Sequence, residues 1–385
     1  MKINEDYSDI ERQIKNLGRF LETCTNKSQY YSAASSFGIL NYLYYLRYGN
    51  EFVSGEAADN ITRKGMELYQ EILENEKSVF LRNKQFHKDT FFESFFGPSS
   101  SFLKTCRSSY LKKMKSSKKA KLKIGEDKEI LEAFFKEKFP EGSDILGELL
   151  ERGHLYKFFD EDDEFSSSNG FMTFNRCDNA ANVFLRDDVH SLSSLVTLVH
   201  ELGHVYDFSD SVRTFIDEEK ARYALGPYAE VMSSYYQQLF LDYLIDNGIR
   251  AEEATVAFFE LYSAFFYNLD NALLLSLVSD DEYRLIVGSD FTKRDVISLL
   301  RESSLTEDYD FEDNCAWTVM SGTKEIGYSY GILLSNMLID GSISKDDWFS
   351  LRAKEFDSSS LTSIGFSKDK ANKCLVKRMD TFMKK

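Results

Sequence analysis

The chain has 385 residues, 43% of them hydrophobic and 29% charged, which is typical of a globular protein and excludes a disordered one. Its 47 lysines and arginines against 63 acids give a net charge of -16, which repels phosphate backbones and anionic lipids, so we expect neither nucleic acid nor a membrane as a partner. The first twenty residues lack the apolar stretch of a signal peptide, and no run approaches the ~20 apolar residues of a membrane span, so we expect a cytoplasmic protein.

A helical spacing of apolar residues and only three prolines predict a mainly helical fold. The spacing is clear in IERQIKNLGRFL, DILGELLERG and VISLLRESSL, and FHKDTFFESFFGPSSSF predicts an aromatic helix end followed by a turn. A lysine-rich, acid-free run from Lys104 to Lys123 is interpreted as a solvated surface segment or linker. This run sets the predicted boundary between an N-terminal helical region, residues 1–125, and a second domain, residues 126–385.

A small β element is predicted before the central helix. Between about residues 155 and 190 the sequence is acidic and polar, with Gly170 and the alternating FMTF, which predicts a loop and one or two short strands. The next segment, SLSSLVTLVHELGHVYDFSD, predicts a helix in which Ser193 or Ser194 is the N-cap. Its apolar residues at helical spacing are Leu195, Leu198, Val199, Leu202 and Val205.

The central helix carries His200, Glu201 and His204 in the sequence HELGH. Residues four apart share a helix face, so the two imidazoles can converge on one ion. Zinc in such sites binds two imidazoles and one carboxylate, and Glu201 can act as general base and acid. We predict that the third ligand is Glu230, one turn inside a helix that starts near Pro227. The predicted cofactor is therefore one Zn²⁺ ion.

A chance match is the alternative, because a pattern with three fixed positions also arises by accident. Two of the five histidines fall in the motif, and the positions around them are apolar, which predicts a buried helix whose polar groups need partners. Gly203 inside the helix costs about 1 kcal/mol relative to alanine, which predicts that something packs closely against its backbone. These features favour a metal site.

From about residue 146 to 240 the sequence resembles the oligoendopeptidase F and thimet oligopeptidase family of zinc metallopeptidases. TLVHELGH, residues 197–204, matches the family pattern T-L-x-H-E-x-G-H, and AEVMSS, residues 229–234, matches the segment of its third ligand. More weakly, IGYSYGILLSNMLIDG resembles its tyrosine-containing helix with a Y-x-x-G step, so the resemblance extends loosely to residue 385. It implies a multi-helix, zincin-like catalytic domain, a zinc-dependent endopeptidase acting on oligopeptides, and Tyr328 or Tyr330 as the donor to the oxyanion.

Three departures from the family pattern bear on activity. The tyrosine segment NCAWTVMSGTKEIGYSYG contains no histidine, and loss of such a donor costs on the order of two to three powers of ten in rate. Gln237 stands where the family often has an acid, and the N-terminal region is shorter. The alternative is therefore a catalytically weak or inactive relative that binds zinc and peptides without efficient turnover. A metal-dependent hydrolase of other substrates is a third reading.

Other polar residues have simpler interpretations. Asp207 is expected either to orient an imidazole or to face solvent. His87 and His154 are interpreted as structural because neither has a second ligand at useful spacing, and His190, in the polar DDVHSLSS turn, is interpreted as a surface residue. GYSYG spells a serine-hydrolase elbow around Ser329, but no histidine follows it in the chain, so we interpret it as chance. The five cysteines are scattered without a Cys-x-x-Cys pair, which disfavours disulfides and a cysteine zinc site.

Overall fold

The predicted mainly helical fold is confirmed. The computed structural model describes residues 3–114, 121–123, 125–158, 169–175, 177–186, 191–214, 228–277, 324–351 and 354–383. These residues form a series of helices and one small sheet. None of the helices in these ranges is both long enough and apolar enough to cross a membrane.

The helices follow the predicted segments closely. IERQIKNLGRFL lies in the first helix and DILGELLERG in the sixth, whereas VISLLRESSL lies outside the described residues. The aromatic segment ends one helix at Phe96 and begins the next at Ser100, and the first part of the lysine-rich run is helical as far as Met114. In chain order the helices are α1 (Ser8–Thr23), α2 (Lys27–Tyr48), α3 (Glu56–Phe96), α4 (Ser100–Met114), α5 (Glu126–Lys138), α6 (Pro140–Arg152), α7 (Leu192–Thr214), α8 (Glu230–Asp246), α9 (Ala251–Leu277), α10 (Lys324–Ile339), α11 (Lys345–Leu351), α12 (Ser358–Ser363) and α13 (Lys368–Met383).

A three-stranded sheet directly precedes α7, where the sequence predicts a β element. The strands are β1 (Leu155–Lys157), β2 (Gly170–Asn175) and β3 (Ala180–Leu185), in the order β1-β3-β2. β1 pairs with β3 in parallel, and β2 pairs with β3 in antiparallel fashion. Helix α7 contacts both β2 and β3, so the sheet supports the helix that carries the HELGH motif.

The chain divides into two compact units, and the first contains the sheet. It comprises Met1–Leu73, Ser117–Ala224 and Met232–Thr255. The ring of Phe134 on α5 lies 4.9 Å from that of Phe240 on α8, so these two helices pack through aromatic side chains. A buried apolar cluster joins α1 and α2 to the sheet, and among its members are Ile10, Ile14, Leu17, Phe37, Tyr156 and Phe184.

The second unit is helical over the residues that the structure describes. It comprises Glu74–Ser116, Leu225–Val231 and Val256–Lys385. Helix α10 packs on α13, and the ring of Phe258 on α9 stacks on Phe382 of α13. The boundary that the sequence places near residue 125 stays a prediction.

Candidate metal centre

Helix α7 presents His200 and His204 side by side. It begins at Leu192, and the hydroxyl of Ser191 accepts the backbone N–H of Ser194 at 3.2 Å, so Ser191 is the N-cap. The predicted caps, Ser193 and Ser194, were wrong because they lie inside the first turn. The two imidazole rings have centroids 4.8 Å apart and are nearly perpendicular, at 83°.

The apolar face of α7 fixes this presentation. The residues predicted at helical spacing are buried as expected, which anchors the helix on the sheet below it. They are Leu195, Leu198, Val199, Leu202 and Val205. The histidines are therefore carried by a helix that is held along most of its length, as a preorganised site requires.

Helix α8 supplies the third candidate ligand. Glu230 is its first residue, not a residue one turn inside as the sequence predicted, since Tyr228 and Ala229 form the preceding turn. A carboxylate at a helix N-terminus is favoured by the partial positive charge there, typically by 0.3 to about 1 kcal/mol. One candidate ligand atom each from His200, His204 and Glu230 lies within 4.8 Å of the others. Over the described ranges, this group of side chains could hold a metal ion.

Two glycines let the helices approach closely here. A Cβ built on Gly203 of α7 would lie 2.7 Å from the Cα of Ser233 and 2.9 Å from the carbonyl oxygen of Met232, both on α8. A Cβ on Gly331 of α10 would lie 2.8 Å from the Cβ of Glu230. Real Cβ atoms essentially never come so near to other atoms. Gly203 therefore marks the close approach to its backbone that the sequence predicts, and Gly331 lets α10 pack against the start of α8.

A neutral amide contacts the first histidine. Nδ1 of His200 lies 2.8 Å from Oε1 of Gln237, which is on α8 two turns beyond Glu230. Because an amide oxygen only accepts, this orientation of the Gln237 amide favours the tautomer in which Nδ1 of His200 is the donor. Nε2 is then the nitrogen whose lone pair can bind an ion. In the sequence, Gln237 stands out only as a departure from a family pattern, and its contact with His200 was not predicted.

Two further carboxylates on α7 are buried beside the histidines. Glu201 is 4% exposed and Asp207 is 2% exposed, so the solvent-facing interpretation of Asp207 was wrong. Asp207 lies three residues beyond His204 and therefore on a neighbouring position of the same helix surface. Glu201 and Asp207 thus place two more acidic side chains on the helix that carries the histidine pair. The donor set of two imidazoles and one carboxylate is one that zinc takes in hydrolytic sites.

The two predicted oxyanion donors on α10 have different surroundings. Tyr330 is fully buried, its hydroxyl lies 2.9 Å from Nδ1 of His87, and burial raises its pKa above the ordinary range. Tyr328 is only partly buried and lies three residues before Gly331, so both residues are on one side of α10. Gly331 is the residue that meets Glu230. Tyr328, and not Tyr330, therefore shares a side of α10 with the residue that packs against the candidate ligand Glu230.

His87 is the residue whose connection to this region the sequence did not reveal. It is fully buried on α3, its ring stacks within 5 to 8° of the rings of Phe80 and Phe356, and burial lowers its pKa to about 3. It is therefore neutral, and its interpretation as structural agrees with these surroundings. His154 is also buried and lies between Oδ2 of Asp9 and the carbonyl oxygen of Ala181. His190 lies outside the described residues.

The serine motif has no hydrolase geometry. Ser329 is fully buried in the interior of α10, whereas a nucleophile elbow joins a strand to a helix and exposes its serine. Among the described cysteines, Cys24, Cys106, Cys177 and Cys374 are not joined in disulfides. These side chains offer no second catalytic centre within the described residues.

Known proteins add no assignment to this geometry. No protein-family model, no curated protein and no solved structure matches the chain.

Proposed function

We propose that the chain is a zinc-dependent endopeptidase that hydrolyses peptide bonds of oligopeptides, with one Zn²⁺ bound by His200, His204 and Glu230. The observation that carries this proposal is the group of three ligand atoms within 4.8 Å of one another. Glu201, buried on the same helix directly after the first ligand, is the second support. The resemblance to the oligoendopeptidase F and thimet oligopeptidase family supplies the substrate class.

Each residue has a separate task in this reaction. Zinc, when bound, acts as a Lewis acid that makes water a nucleophile near neutral pH. The carboxylate of Glu201 accepts the proton that the attacking water loses, and it later delivers that proton to the nitrogen of the leaving amine as the C–N bond breaks. Its burial keeps the carboxylate in one place and limits competing hydrogen bonds to solvent.

Tyr328 is the donor to the oxyanion in this proposal. It shares a side of α10 with Gly331, which touches Glu230, and it is partly exposed and so accessible to a substrate. The hydroxyl of Tyr330 is already engaged with His87 in a fully buried place. A donor that a substrate cannot reach contributes nothing to a developing charge, so the two tyrosines are not equivalent.

A paired measurement on Glu201→Gln tests the proposal. Bound metal is measured in the native protein and the variant, together with cleavage of a quenched fluorescent peptide library. We expect about one zinc per chain in both proteins and cleavage in the native protein only, because the amide keeps the ligands but cannot accept a proton. Glu132→Gln, at an exposed position on α5, is the matched control and should retain both properties. Native protein without metal would refute the proposal.

A second candidate is a relative that binds zinc and peptides without efficient turnover. The observation that favours it is the engagement of Tyr330 with His87, which leaves Tyr328 as the remaining donor of the two that the sequence predicts. In that case the native protein contains zinc and binds peptides from the library, and its cleavage rate does not exceed that of Glu201→Gln.

A further inference from the structure

The contact between Gln237 and His200 bears on how tightly the metal is held. Glu230 and Gln237 are seven residues apart on α8, so they lie on the same side of the helix, two turns from each other. Glu230 belongs to the group of candidate ligands, and Gln237 approaches a ligand's other nitrogen at 2.8 Å. One side of α8 therefore provides a candidate ligand and the partner of another ligand.

The hydrogen bond selects one form of the imidazole. Oε1 of Gln237 is an acceptor, so it favours the His200 tautomer with a proton on Nδ1 and a lone pair on Nε2. It also restricts rotation of the ring about its Cβ–Cγ bond. Partners of this kind typically change metal affinity by 10- to about 100-fold when they are removed.

The partner of His200 is a neutral amide, and this lowers the expected strength of metal binding. A carboxylate in this position would add a negative charge near the ion and, by accepting the Nδ1 proton strongly, would make Nε2 a better electron donor to the metal. An amide orients the ring but supplies neither effect. It can also rotate by half a turn and present its NH₂ group, which stabilises the opposite tautomer with the proton on Nε2.

We propose that Gln237 is the positioning residue of His200 and that its neutral amide makes this centre bind zinc more weakly, and release it faster, than a carboxylate in the same position would. The inference rests on the proposed metal centre but not on peptidase activity. As a consequence, the fraction of protein with bound zinc changes with the free zinc concentration over a range of concentrations in which a centre with a carboxylate partner would stay saturated.

Three variants on α8 test the inference at one fixed pH. Zinc affinity is measured by competition with a chromophoric chelator, and the release rate is measured after addition of excess EDTA. We expect Gln237→Glu to tighten binding by about tenfold with slower release, and Gln237→Leu to weaken it by roughly 10- to 100-fold. Gln238→Leu, which removes an adjacent buried amide, is the control for general damage to α8 and should stay within about threefold of the native protein.

A spectroscopic measurement separates positioning from packing. The chain has five histidines, so ¹⁵N spectra of histidine-labelled, metal-free protein can be assigned by comparison with His200→Gln. We expect the Nδ1–H tautomer of His200 in the native protein and in Gln237→Glu, and a shift towards Nε2–H in Gln237→Leu, where the amide oxygen that accepts the Nδ1 proton has been removed. A merely structural role of Gln237 would leave the tautomer unchanged.

The outcomes distinguish this inference from the proposed function. Zinc binding by the native protein with equal affinity in Gln237→Glu and Gln237→Leu would overturn the role of Gln237 and leave the metal centre standing. An Nε2–H tautomer of His200 in native, metal-free protein would overturn it as well. Native protein that binds no zinc would overturn the metal centre and, with it, the inference.

Discussion

The region around α7 and α8 and the aromatic cage of Phe80, His87, Tyr330 and Phe356 both bury histidine, but they give it opposite surroundings. His200 and His204 have an amide and several carboxylates near them, and His200 keeps part of its surface exposed. His87 has one polar partner, Tyr330, inside a set of phenylalanine rings. The first arrangement is suited to a cation, and the second holds two helices together.

The difference shows that the partners of a histidine, not its burial alone, decide what it can do. In the first region, Oε1 of Gln237 contacts Nδ1 of His200, and one candidate ligand atom of each histidine lies within 4.8 Å of the other and of one from Glu230. In the second region, burial without a counter-charge keeps the imidazole neutral, and its pKa falls to about 3. Changes that remove these partners should therefore affect metal binding in one region and stability in the other.

Replacement of Glu230 should produce the largest effect in the first region. Glu230→Ala removes one of the three proposed ligands, so we expect the zinc dissociation constant to rise roughly 100-fold or more. Chelator competition measures it. Glu252→Ala, at an exposed position on α9, is the matched control and should leave affinity unchanged. Unchanged affinity in Glu230→Ala would remove this residue from the centre.

The two tyrosines of α10 test the comparison directly, because the same substitution should act differently at each. In an active protein, Tyr328→Phe should lower kcat by about 10²- to 10³-fold with little change in Tm, since it removes a donor to the oxyanion. Tyr330→Phe should leave kcat of the folded protein near the native value. It should instead cost about 1–3 kcal/mol of stability, because Nδ1 of His87 loses its partner in an apolar place.

Kinetics and thermal unfolding of both variants, with zinc content as a common control, check this prediction. If Tyr330→Phe lost kcat while Tyr328→Phe lost only stability, the roles would have to be exchanged. Equal losses of kcat in both variants would place both tyrosines near the substrate and contradict the structural role of Tyr330.

The grouping of His200, His204 and Glu230 was largely predictable from the sequence because its signals are local. His200 and His204 are four residues apart on a helix whose apolar positions are themselves periodic, and Gly203 marked the close approach of another chain segment. The start of α8 was predicted less well: Glu230 opens the helix where the sequence put it one turn inside. Helix ends fray, so the sequence predicts the first or last residue of a helix only to within one or two positions.

The aromatic cage was not predictable, for a physical reason. His87 and Tyr330 are 243 residues apart, and neither lies in a pattern that specifies the other. Each segment by itself has the pattern of an amphipathic helix, so only the packing of α3 with α10 brings His87 and Tyr330 together. Gln237 is a similar case, since its sequence shows an amide but not that its oxygen meets His200.

Gly203→Ala should disturb the first region through packing alone. The new Cβ would lie 2.7 Å from backbone of α8, and overpacking of this kind typically costs 1 to about 3 kcal/mol, against a gain of about 1 kcal/mol in helix propensity. We also expect weaker zinc binding, because α8 carries Glu230. Gly147→Ala on α6 has no atom within 4 Å of its new Cβ and should be neutral or stabilising by denaturant unfolding. A Gly203→Ala variant that was more stable than the native protein and bound zinc as tightly would contradict the close packing of α7 and α8.

The pH dependence of stability should report the second region in metal-free protein. Burial lowers the pKa of His87 from 6.5 to about 3, so between these pH values the unfolded chain binds a proton that the folded chain does not. Above pH 6.5 His87 is neutral in both states, and as the pH falls from 6.5 towards 3 the free energy of unfolding falls with it, by up to about 1.4 kcal/mol per pH unit. Urea unfolding at pH 8, 6 and 5 measures how the free energy of unfolding changes with pH.

A double variant, His87→Phe with Tyr330→Phe, removes both hydrogen-bonding partners at once. It should lose the pH dependence that His87 causes while staying near native stability at pH 8. Because the other histidines are present in both proteins, their contributions cancel in the comparison, and equal slopes would mean that His87 takes up a proton without unfolding.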